Sequence, residues 1–403
     1  MKTNEIRLGE QCVVTSSKRF HLSERITQGV PFYCSKEIIK KFNGEDVTEC
    51  DYISEDLYKK VSNEFGVPKE NDLLITTRGT IGIPYLYKRT DRFYFADGNL
   101  TWIKDFDSNL YSKFLYYWFQ SYEGRKIFEA LAKGTAQKAV PISGIKTLEI
   151  ELPSLKSQKR IADILSAYDD LIENNQKQIK LLEEAAQRLY KEWFVDLRFP
   201  GHENTKIVDG VPEGWQWCKV RDVADINSSA LPKNYKEDFI DYVDLGSVRC
   251  GHIETRARYN LNEAPGRAKR CAKDGDIIWG MVRPNLKAYA LVTNPKETDV
   301  FSTGFAVLSA KKVPYSYLYC AVTQEEFVGY LVNATNGAAY PAVKPVHFEV
   351  ADILKPDDKV LEQFHSVADS IYRKKEALEN QNHNLRESRD LILPKLMSGE
   401  VEV

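Results

Sequence analysis

Two long helical patterns dominate this sequence, and in each of them apolar side chains recur every seven residues. The first pattern runs from about residue 155 to residue 199 and the second from about residue 359 to residue 397. A seven-residue apolar period predicts helices that pair along a coiled-coil seam. The residues predicted to form this seam are Ile161, Leu165, Tyr168, Ile172, Ile179, Leu182, Leu189 and Trp193 in the first helix, and Phe364, Ile371, Leu378, Leu385 and Ile392 in the second.

The second helical pattern repeats the first. Moving the second stripe back by 203 residues places four of its five members on apolar stripe positions of the first helix, and carries Pro356 onto Pro153. Upstream of each helix, a turn followed by a short apolar run, at residues 73–75 and 277–279, predicts a matched pair of buried strands. The chain is therefore predicted to be a tandem duplication of a mixed α/β unit followed by a long helix.

Polar side chains interrupt both predicted stripes. Asn175 lies within the first stripe, either as a tolerated polar residue near the middle of a helix or as one that fixes the register of the pair. The second helix carries Lys375, Asn382 and Arg389 on its other seven-residue stripe. The two seams are therefore not equally apolar, and the period alone does not define how strongly the helices pair.

The length of the chain and the two helices together define the predicted domains. A chain of 403 residues fits two ordinary domains with connecting elements. The first α/β unit is predicted at 1–153, the first long helix at 154–199, the second unit at 200–355 with a linker at 200–213, and the second long helix at 356–403. The predicted fold class is α+β, with two similar mixed α/β domains separated by two long helices and an internal pseudo-twofold repeat.

Composition and motifs exclude several classes of protein. With 43% hydrophobic and 28% charged residues, the chain has the composition of a globular protein rather than a disordered one. No apolar run approaches the roughly 18 residues that a membrane span requires. Seven scattered cysteines without a CxxC pair favour the reducing cytoplasm over a zinc site or a disulfide framework. Phosphate-binding loops, methyltransferase motifs and paired metal-binding histidines are absent from the sequence, so no catalytic or metal-binding residue is predicted.

Positive charge is concentrated locally, although the whole chain has a formal net charge of −2. Between residues 249 and 287 nine Lys and Arg stand against four acids, and between residues 76 and 92 four stand against one. Such clusters can neutralise nucleic-acid phosphates, although an ordinary solvated face would also carry them. The residues predicted to contact DNA are Lys18, Arg19, Arg78, Thr80, Lys88, Arg89, Gln137, Lys138, Arg256, Arg258, Lys269, Arg270, Arg283, Asn285, Lys287, Tyr340 and Lys344.

Two pairs of repeated loops contain many of these candidates. One pair, at 77–82 and 281–287, follows the matched strands. Its arginine and asparagine side chains can pair with base edges, or can simply shape the turns. The other pair, at 134–138 and 336–340, lies just ahead of the long helices and either touches DNA or closes the domain.

Several stretches resemble the specificity (S) subunits of type I restriction–modification systems. Residues 152–165, LPSLKSQKRIADIL, and residues 189–196, LYKEWFVD, resemble the central conserved region of that family. Residues 211–215, VPEGW, resemble the usual opening of a second target recognition domain, and residues 391–400, LILPKLMSGE, resemble the family's C-terminus. The resemblance extends along the whole chain in order.

This resemblance implies a function and a set of partners. In the family, two target recognition domains each read one half of a split double-stranded DNA sequence. Two long helices lie as an antiparallel coiled coil, set the spacer between the half-sites and dock two methyltransferase (M) subunits, and restriction (R) subunits join the full cytoplasmic complex. S-adenosylmethionine, magnesium and ATP belong to the partners, so the resemblance implies a non-enzymatic chain without its own cofactor. The alternatives are a coiled-coil scaffold with protein-binding modules and a stand-alone DNA methyltransferase.

Overall fold

A computed structural model describes residues 3–134, 138–335 and 341–403, which form two compact units. Unit 1 consists of Met1–Gln176 and Asn380–Val403, and unit 2 of Lys177–Glu379. The predicted DNA contacts Gln137 and Tyr340 lie outside the described residues. Each unit contains one α/β region and a section of both long helices. The predicted domain boundaries at the starts of the helices stay a prediction.

Three sheets and several short helices build the α/β region of unit 1. The principal sheet is antiparallel, with strands in the order Val13–Thr15, Leu100–Lys104, Leu73–Thr76 and Pro84–Leu86. The second sheet has the order Asp51–Ile53, Val30–Tyr33 and Tyr94–Phe95, and the third pairs Thr3–Arg7 with Glu149–Pro153. The helices are Leu8–Gln11, Ser35–Phe42, Glu55–Glu64, Ser112–Gln120, Tyr122–Ala130 and Ile142–Lys146.

Unit 2 repeats this plan. Its principal antiparallel sheet has the order Ala224–Ile226, Phe305–Ala310, Ile277–Gly280 and Tyr289–Leu291. Its second sheet has the order Ala257–Asn260, Phe239–Val243, Asp299–Ser302 and Ala268–Arg270, and a third sheet pairs Gln216–Lys219 with Asp352–Lys355. Two small hairpins pair Ile207–Val208 with Val211–Pro212 and Val248–Arg249 with His252–Ile253. The helices are Val220–Val223, Tyr315–Thr323, Glu325–Asn333 and Pro345–Glu349. Because equivalent strands occur in the same order, the predicted internal repeat is confirmed.

The matched strands at residues 73–75 and 277–279 are buried on both faces, as their apolar runs predict. Leu73, Leu74 and Ile75 have no exposed surface, and the same is true of Ile277 and Ile278. A strand of this kind buries nearly all of its apolar side-chain area, which is the main favourable contribution to folding. These strands therefore anchor the loops that follow them.

The two long helices are the central helix, Leu155–Tyr190, and the C-terminal helix, Asp358–Ser398. Ser154 caps the central helix, since its Oγ accepts a hydrogen bond from the backbone N of Ser157 at 3.2 Å. The regular α-helix ends before the predicted residue 199, because the backbone N of Asp196 donates to Lys191 O, five residues earlier, at 2.8 Å. This bond closes a π turn over Lys191–Val195, which contains the predicted seam residue Trp193.

Within unit 1 the two long helices pair in antiparallel fashion. Asp169 pairs with Arg389 and Asn175 with Asn382, so the chain advances along one helix while it retreats along the other. Near the start of the central helix, an apolar core joins the α/β region to both helices, and its helical members are Ile161, Ala162, Leu165, Leu393 and Leu396. The end of the C-terminal helix therefore contributes side chains to the core of unit 1.

Within unit 2 the same helices also pair in antiparallel fashion. Glu183 pairs with Lys375, and the Tyr190 ring lies 6.3 Å from that of Phe364. The apolar core of this unit is shared between both helices and the α/β region, and the buried helical members include Ala186, Tyr190, Leu361, Phe364, Ala368 and Tyr372. The predicted α+β class with paired long helices is therefore confirmed in each unit.

The predicted seam residues are covered to different degrees. Those that are buried are Ile161, Leu165, Ile172, Ile179, Phe364 and Leu378. Those that are partly buried are Tyr168, Leu182, Leu189, Trp193, Ile371, Leu385 and Ile392. On the C-terminal helix the companion stripe is more deeply buried, and three of its members are the polar residues Lys375, Asn382 and Arg389, of which Arg389 is partly buried. No helix in the described parts of the chain combines the length and hydropathy needed to cross a membrane.

Candidate nucleic-acid interface

In unit 1 the loop after strand Leu73–Thr76 lies beside residues 138–140, which precede the short helix Ile142–Lys146. The backbone N of Val140 donates to Thr77 O at 2.9 Å, and the backbones of Arg78 and Ala139 form an isolated antiparallel β-bridge. The two loops that the sequence singled out separately are thus neighbours. They expose Arg78 and Thr80 on one side and Lys138 on the other.

Two cavities of unit 1 share Ser16 in their walls. The first, of about 320 Å³, is lined by Arg78, Lys133 and Ser16 among others. The second, of about 480 Å³, also includes Ser16 in its wall and contains Lys18 and Arg19. The predicted DNA contacts Lys18, Arg19 and Arg78 therefore line adjoining cavities.

The walls of these cavities contain groups that the sequence patterns missed. The side-chain oxygens of Ser16 and Ser17 are buried without a hydrogen-bond partner among the described residues, an arrangement that costs free energy in an unliganded protein. Lys104 adds a cation 4.4 Å from the ring centre of Trp102. Of these groups, Lys133 alone could have been recognised from the sequence, because it is a cation next to the candidate loop at 134–138.

Lys88 and Arg89 lie elsewhere in unit 1. Strand Pro84–Leu86 runs from the Arg78 loop to the far end of its hairpin, and both residues follow that strand. Lys88 Nζ lies 2.5 Å from Oε2 of Glu173 on the central helix, and Arg89 is exposed. The structure therefore separates these two cations from Arg78, although they are close to it in sequence.

In unit 2 the loop after strand Ile277–Gly280 lies beside residues 341–343. Val343 N donates to Met281 O at 2.9 Å, and Val282 forms a bridge with Ala342, as Arg78 does with Ala139 in unit 1. Arg283 and Asn285 are exposed, Lys287 is partly buried, and Lys344 is exposed. Because the bridges correspond, Val282 occupies the position of Arg78, and the two predicted arginines are not equivalent residues.

The remaining candidates of unit 2 belong to its second sheet. Arg258 lies on the edge strand Ala257–Asn260, next to Arg256, whereas Lys269 and Arg270 lie on the opposite edge strand Ala268–Arg270. These cations are close in the sequence but lie at opposite edges of the sheet.

Arg256 and Arg258 are engaged within the unit. Arg258 hydrogen-bonds both carboxylate oxygens of Asp241, at 2.9 and 3.1 Å, and lies over the Phe239 ring at 4.1 Å. These hydrogen bonds lower the pKa of Asp241 from its ordinary value. Arg256 Nε lies 3.3 Å from Oδ1 of the buried Asp299.

Within residues 3–134, 138–335 and 341–403, no group of three or more His, Cys, Asp and Glu side chains is arranged to hold a metal ion. The geometry instead defines a protein built from two copies of one α/β unit. In each α/β unit the loop after a buried strand pairs with a later segment, residues 138–140 in unit 1 and 341–343 in unit 2. A single pair of long helices contributes to the core of both units.

Comparison with known proteins finds relatives among the specificity subunits of type I restriction enzymes. Residues 3–184 match the family described as type I restriction modification DNA specificity domain. The type I restriction enzyme MjaIX specificity subunit of Methanocaldococcus jannaschii is 27% identical over 303 residues, which cover 72% of this chain and 69% of that protein. The MjaVIII specificity subunit of the same organism is 25% identical over 365 residues, covering 86% and 83%.

A solved structure shares the fold. The S subunit of a type I restriction–modification system from M. genitalium superposes with a TM-score of 0.60 at 16% identity, covering 98% of this chain and 96% of that one. This chain is therefore similar to type I restriction–modification specificity subunits over most of its length, in agreement with the resemblance of its sequence, and it shares the fold of one of them.

Proposed function

We propose that each unit of this chain reads one half of a bipartite double-stranded DNA target, and that the two long helices determine the distance between the halves. The observation that carries the proposal is a repeated β-bridge between the loop after a buried strand and a later segment, formed by Arg78 and Ala139 in unit 1 and by Val282 and Ala342 in unit 2. A duplicated reader suits a target with two parts, because each copy can diverge in its loops while its scaffold is retained.

The lengths of the helices support their role as a spacer. The central helix has 36 residues and the C-terminal helix 41, which at ~1.5 Å per residue correspond to about 54 and 62 Å. Two major-groove sites one helical turn apart are separated by about 34 Å. The helices are therefore long enough to connect readers of two such sites.

The chemistry of the complex belongs, in this proposal, to other polypeptides. Two methyltransferase subunits dock on the long helices, and restriction subunits complete the assembly in the cytoplasm. This chain binds neither S-adenosylmethionine nor magnesium nor ATP, and catalyses no reaction itself. The absence of methyltransferase and phosphate-loop motifs from the sequence supports this division of labour.

Methylome sequencing tests the spacer directly. Cells that express the chain with its methyltransferase subunits are expected to methylate one bipartite motif with a fixed gap. Inserting one heptad after Gln176 and another after Glu379 lengthens both helices at the boundary between the units. We expect the gap to widen while both half-sites keep their sequence, and an unchanged gap would contradict the spacer role.

The scaffold alternative gives a different result in a binding assay. Purified chain in complex with its methyltransferase subunits should bind a labelled duplex with an affinity that falls steeply between 50 and 200 mM salt, because phosphate contacts release counterions. A scaffold without a DNA role should show weak binding and a flat salt response.

A further inference from the structure

The hairpin loops that follow the two matched strands can be aligned from the backbone hydrogen bonds that close them. In unit 1, Thr76 N donates to Ile83 O, and in unit 2, Gly280 N donates to Ala288 O. The loop of unit 2 is one residue longer between these pairs. Counting inward from both ends, Gly79 corresponds to Arg283, and Gly82 corresponds to Lys287.

Both pairs of equivalent residues have a left-handed backbone. Gly79 has φ +77° and Gly82 φ +83°, whereas Arg283 has φ +50° and Lys287 φ +54°. Glycine adopts this conformation readily because it lacks a Cβ atom, whereas arginine and lysine do so only at a cost in free energy. The first unit thus uses the residue that the backbone favours, and the second unit uses two cations that it disfavours.

Neither of these two cations is fully buried. Arg283 is exposed, and Asn285 and Leu286, between the two strained positions, are exposed as well. Lys287 Nζ lies 2.5 Å from Oε1 of Glu325, whose side chain is 77% exposed. An ion pair of this kind contributes little to stability and is readily exchanged for another anion. Pro284 is the buried residue of the loop and holds it against the unit.

We propose that Arg283 and Lys287 are kept in strained conformations because this loop contacts DNA, with Arg283 reading a base edge and Lys287 exchanging Glu325 for a phosphate. The proposal rests on the DNA-reading role proposed above. Backbone strain that persists outside the buried core, at positions where the equivalent repeat has glycine, is the expected mark of a functional constraint. An arginine guanidinium can donate two hydrogen bonds to guanine O6 and N7, and an ammonium group binds phosphate as a point charge.

Glycine substitutions distinguish an effect on stability from an effect on DNA recognition. Arg283→Gly and Lys287→Gly restore the residue found in unit 1, so the full-length variants should melt at or above the wild-type temperature. Arg283→Ala removes the same side chain but keeps the Cβ atom, and should melt below Arg283→Gly. Gly79→Ala is the matched stability control in unit 1: an added Cβ meets no atom within 4 Å, so strain alone should lower its melting temperature.

Recognition is measured by selecting duplexes from a random library with the chain in complex with its methyltransferase subunits. Arg283→Gly should lose base preference within one half of the motif and bind the wild-type target roughly ten- to a hundredfold more weakly. Lys287→Gly should bind all duplexes more weakly and lower the salt slope by about one, while the motif is retained.

The possible outcomes are distinguishable. If Arg283→Gly selects the wild-type motif, or melts well below the wild type, the assignment of Arg283 is wrong. Uniform weakening by Arg283→Gly, or a changed motif with Lys287→Gly, would equally overturn the assigned roles. If the wild-type complex itself enriches no motif, the proposed function fails, and with it the inference that rests on it.

Discussion

Among the residues of unit 1 that are predicted to contact DNA, Arg78 has the position that best suits contact with a base. It is exposed at the end of a fully buried strand, bridges the second candidate loop and lines a cavity with Lys133. Val282 occupies its position in unit 2, so the two units present different side chains at this point. The residues of the two loops therefore diverge while their backbone pairing is retained.

Replacing Arg78 by alanine should relax sequence preference in one half-site only. The expected loss is about 1–3 kcal/mol of discrimination at one base pair, because a paired arginine–base contact would disappear. Duplex selection with the purified complex measures it. Lys60→Ala, at an exposed cation on a helix of the same unit, is the control and should leave the motif unchanged. Equal weakening on every sequence would show that Arg78 binds phosphate instead.

His252 connects a hairpin of unit 2 to both long helices. Its Nδ1 lies 2.7 Å from Glu379 and its Nε2 lies 3.3 Å from Glu183, which also pairs with Lys375 at 2.7 Å. Burial alone would lower the pKa of His252, but the hydrogen bonds with the two glutamates raise it to about 9. Burial would likewise raise the pKa of Glu183, but His252 and Lys375 lower it to about 2.

The attachment of this hairpin should therefore depend on pH. The stabilisation from charged His252 is fully present below its unfolded pKa of about 6.5 and is lost as the pH rises through about 9. The stabilisation from charged Glu183 is present above pH 4.5, the pKa of the group in the unfolded chain, and is lost as the pH falls through about 2. Hydrogen exchange at residues 248–253, corrected for its intrinsic pH dependence, should accelerate above pH 8 in the wild type. In His252→Gln that change should vanish, whereas the exposed His383→Gln should retain it.

At the scale of the helices, the polar residues of the C-terminal helix have matched partners on the central helix. Lys375 pairs with Glu183, Asn382 with Asn175 and Arg389 with Asp169. Burial alone would lower the pKa of Arg389, but the hydrogen bond to Asp169 raises it. Asn175 lies at the contact between the two helices. Its amide donates to Asn382 Oδ1 at 2.9 Å, and both residues are less than 5% exposed, which favours a role in register.

A double-mutant cycle measures this pairing. Asn175→Leu removes the donor that Asn382 Oδ1 accepts from, and Asn382→Leu leaves the Asn175 amide only its 3.1 Å hydrogen bond to Gln381. Each single change should lower the free energy of unfolding by about 1–3 kcal/mol. The double variant removes both amides and should recover most of that loss. Urea unfolding gives the values, and Asn174→Leu, exposed on the same helix, is the control. Strictly additive losses would contradict a specific pair.

The helices show what a single sequence can and cannot predict. The seven-residue period located both of them, because burial along a helix follows its geometry directly. The pairing of polar residues was not predictable, since Asn175 and Asn382 are 207 residues apart and only the antiparallel contact joins them. Leu385 and Ile392 are less buried than the period suggested, because the companion stripe that includes Asn382 and Leu396 takes much of the contact.

At the scale of the whole molecule, the repeat and the fold class were predictable, whereas the grouping of basic residues was not. Lys88 and Arg78 are close in sequence but lie at opposite ends of a hairpin. Arg258 and Lys269 are on opposite edges of one sheet. Strand pairing decides such positions, and it depends on contacts between distant residues that a linear charge count does not contain.

The shared helices also couple distant parts of the chain in stability. Leu396 has no exposed surface and packs in the core of unit 1, with residues of the α/β region. Leu396→Ala should therefore destabilise unit 1 by about 2–5 kcal/mol, and hydrogen exchange should accelerate in unit 1 while unit 2 keeps its protection. Leu391→Ala, five residues earlier and 70% exposed, is the matched control and should change neither. Loss of protection in unit 2 instead would contradict the assignment.

The contribution of residues 380–403 to unit 1 has a consequence for biosynthesis. A ribosome makes chains from the N-terminus, and domains generally fold as they emerge. Unit 2 has all its residues once Glu379 has left the exit tunnel, whereas unit 1 must wait for Leu393 and Leu396. The half that is translated first is thus the last to acquire its complete core, and in the interval its nascent apolar surface is exposed to chaperones and proteases.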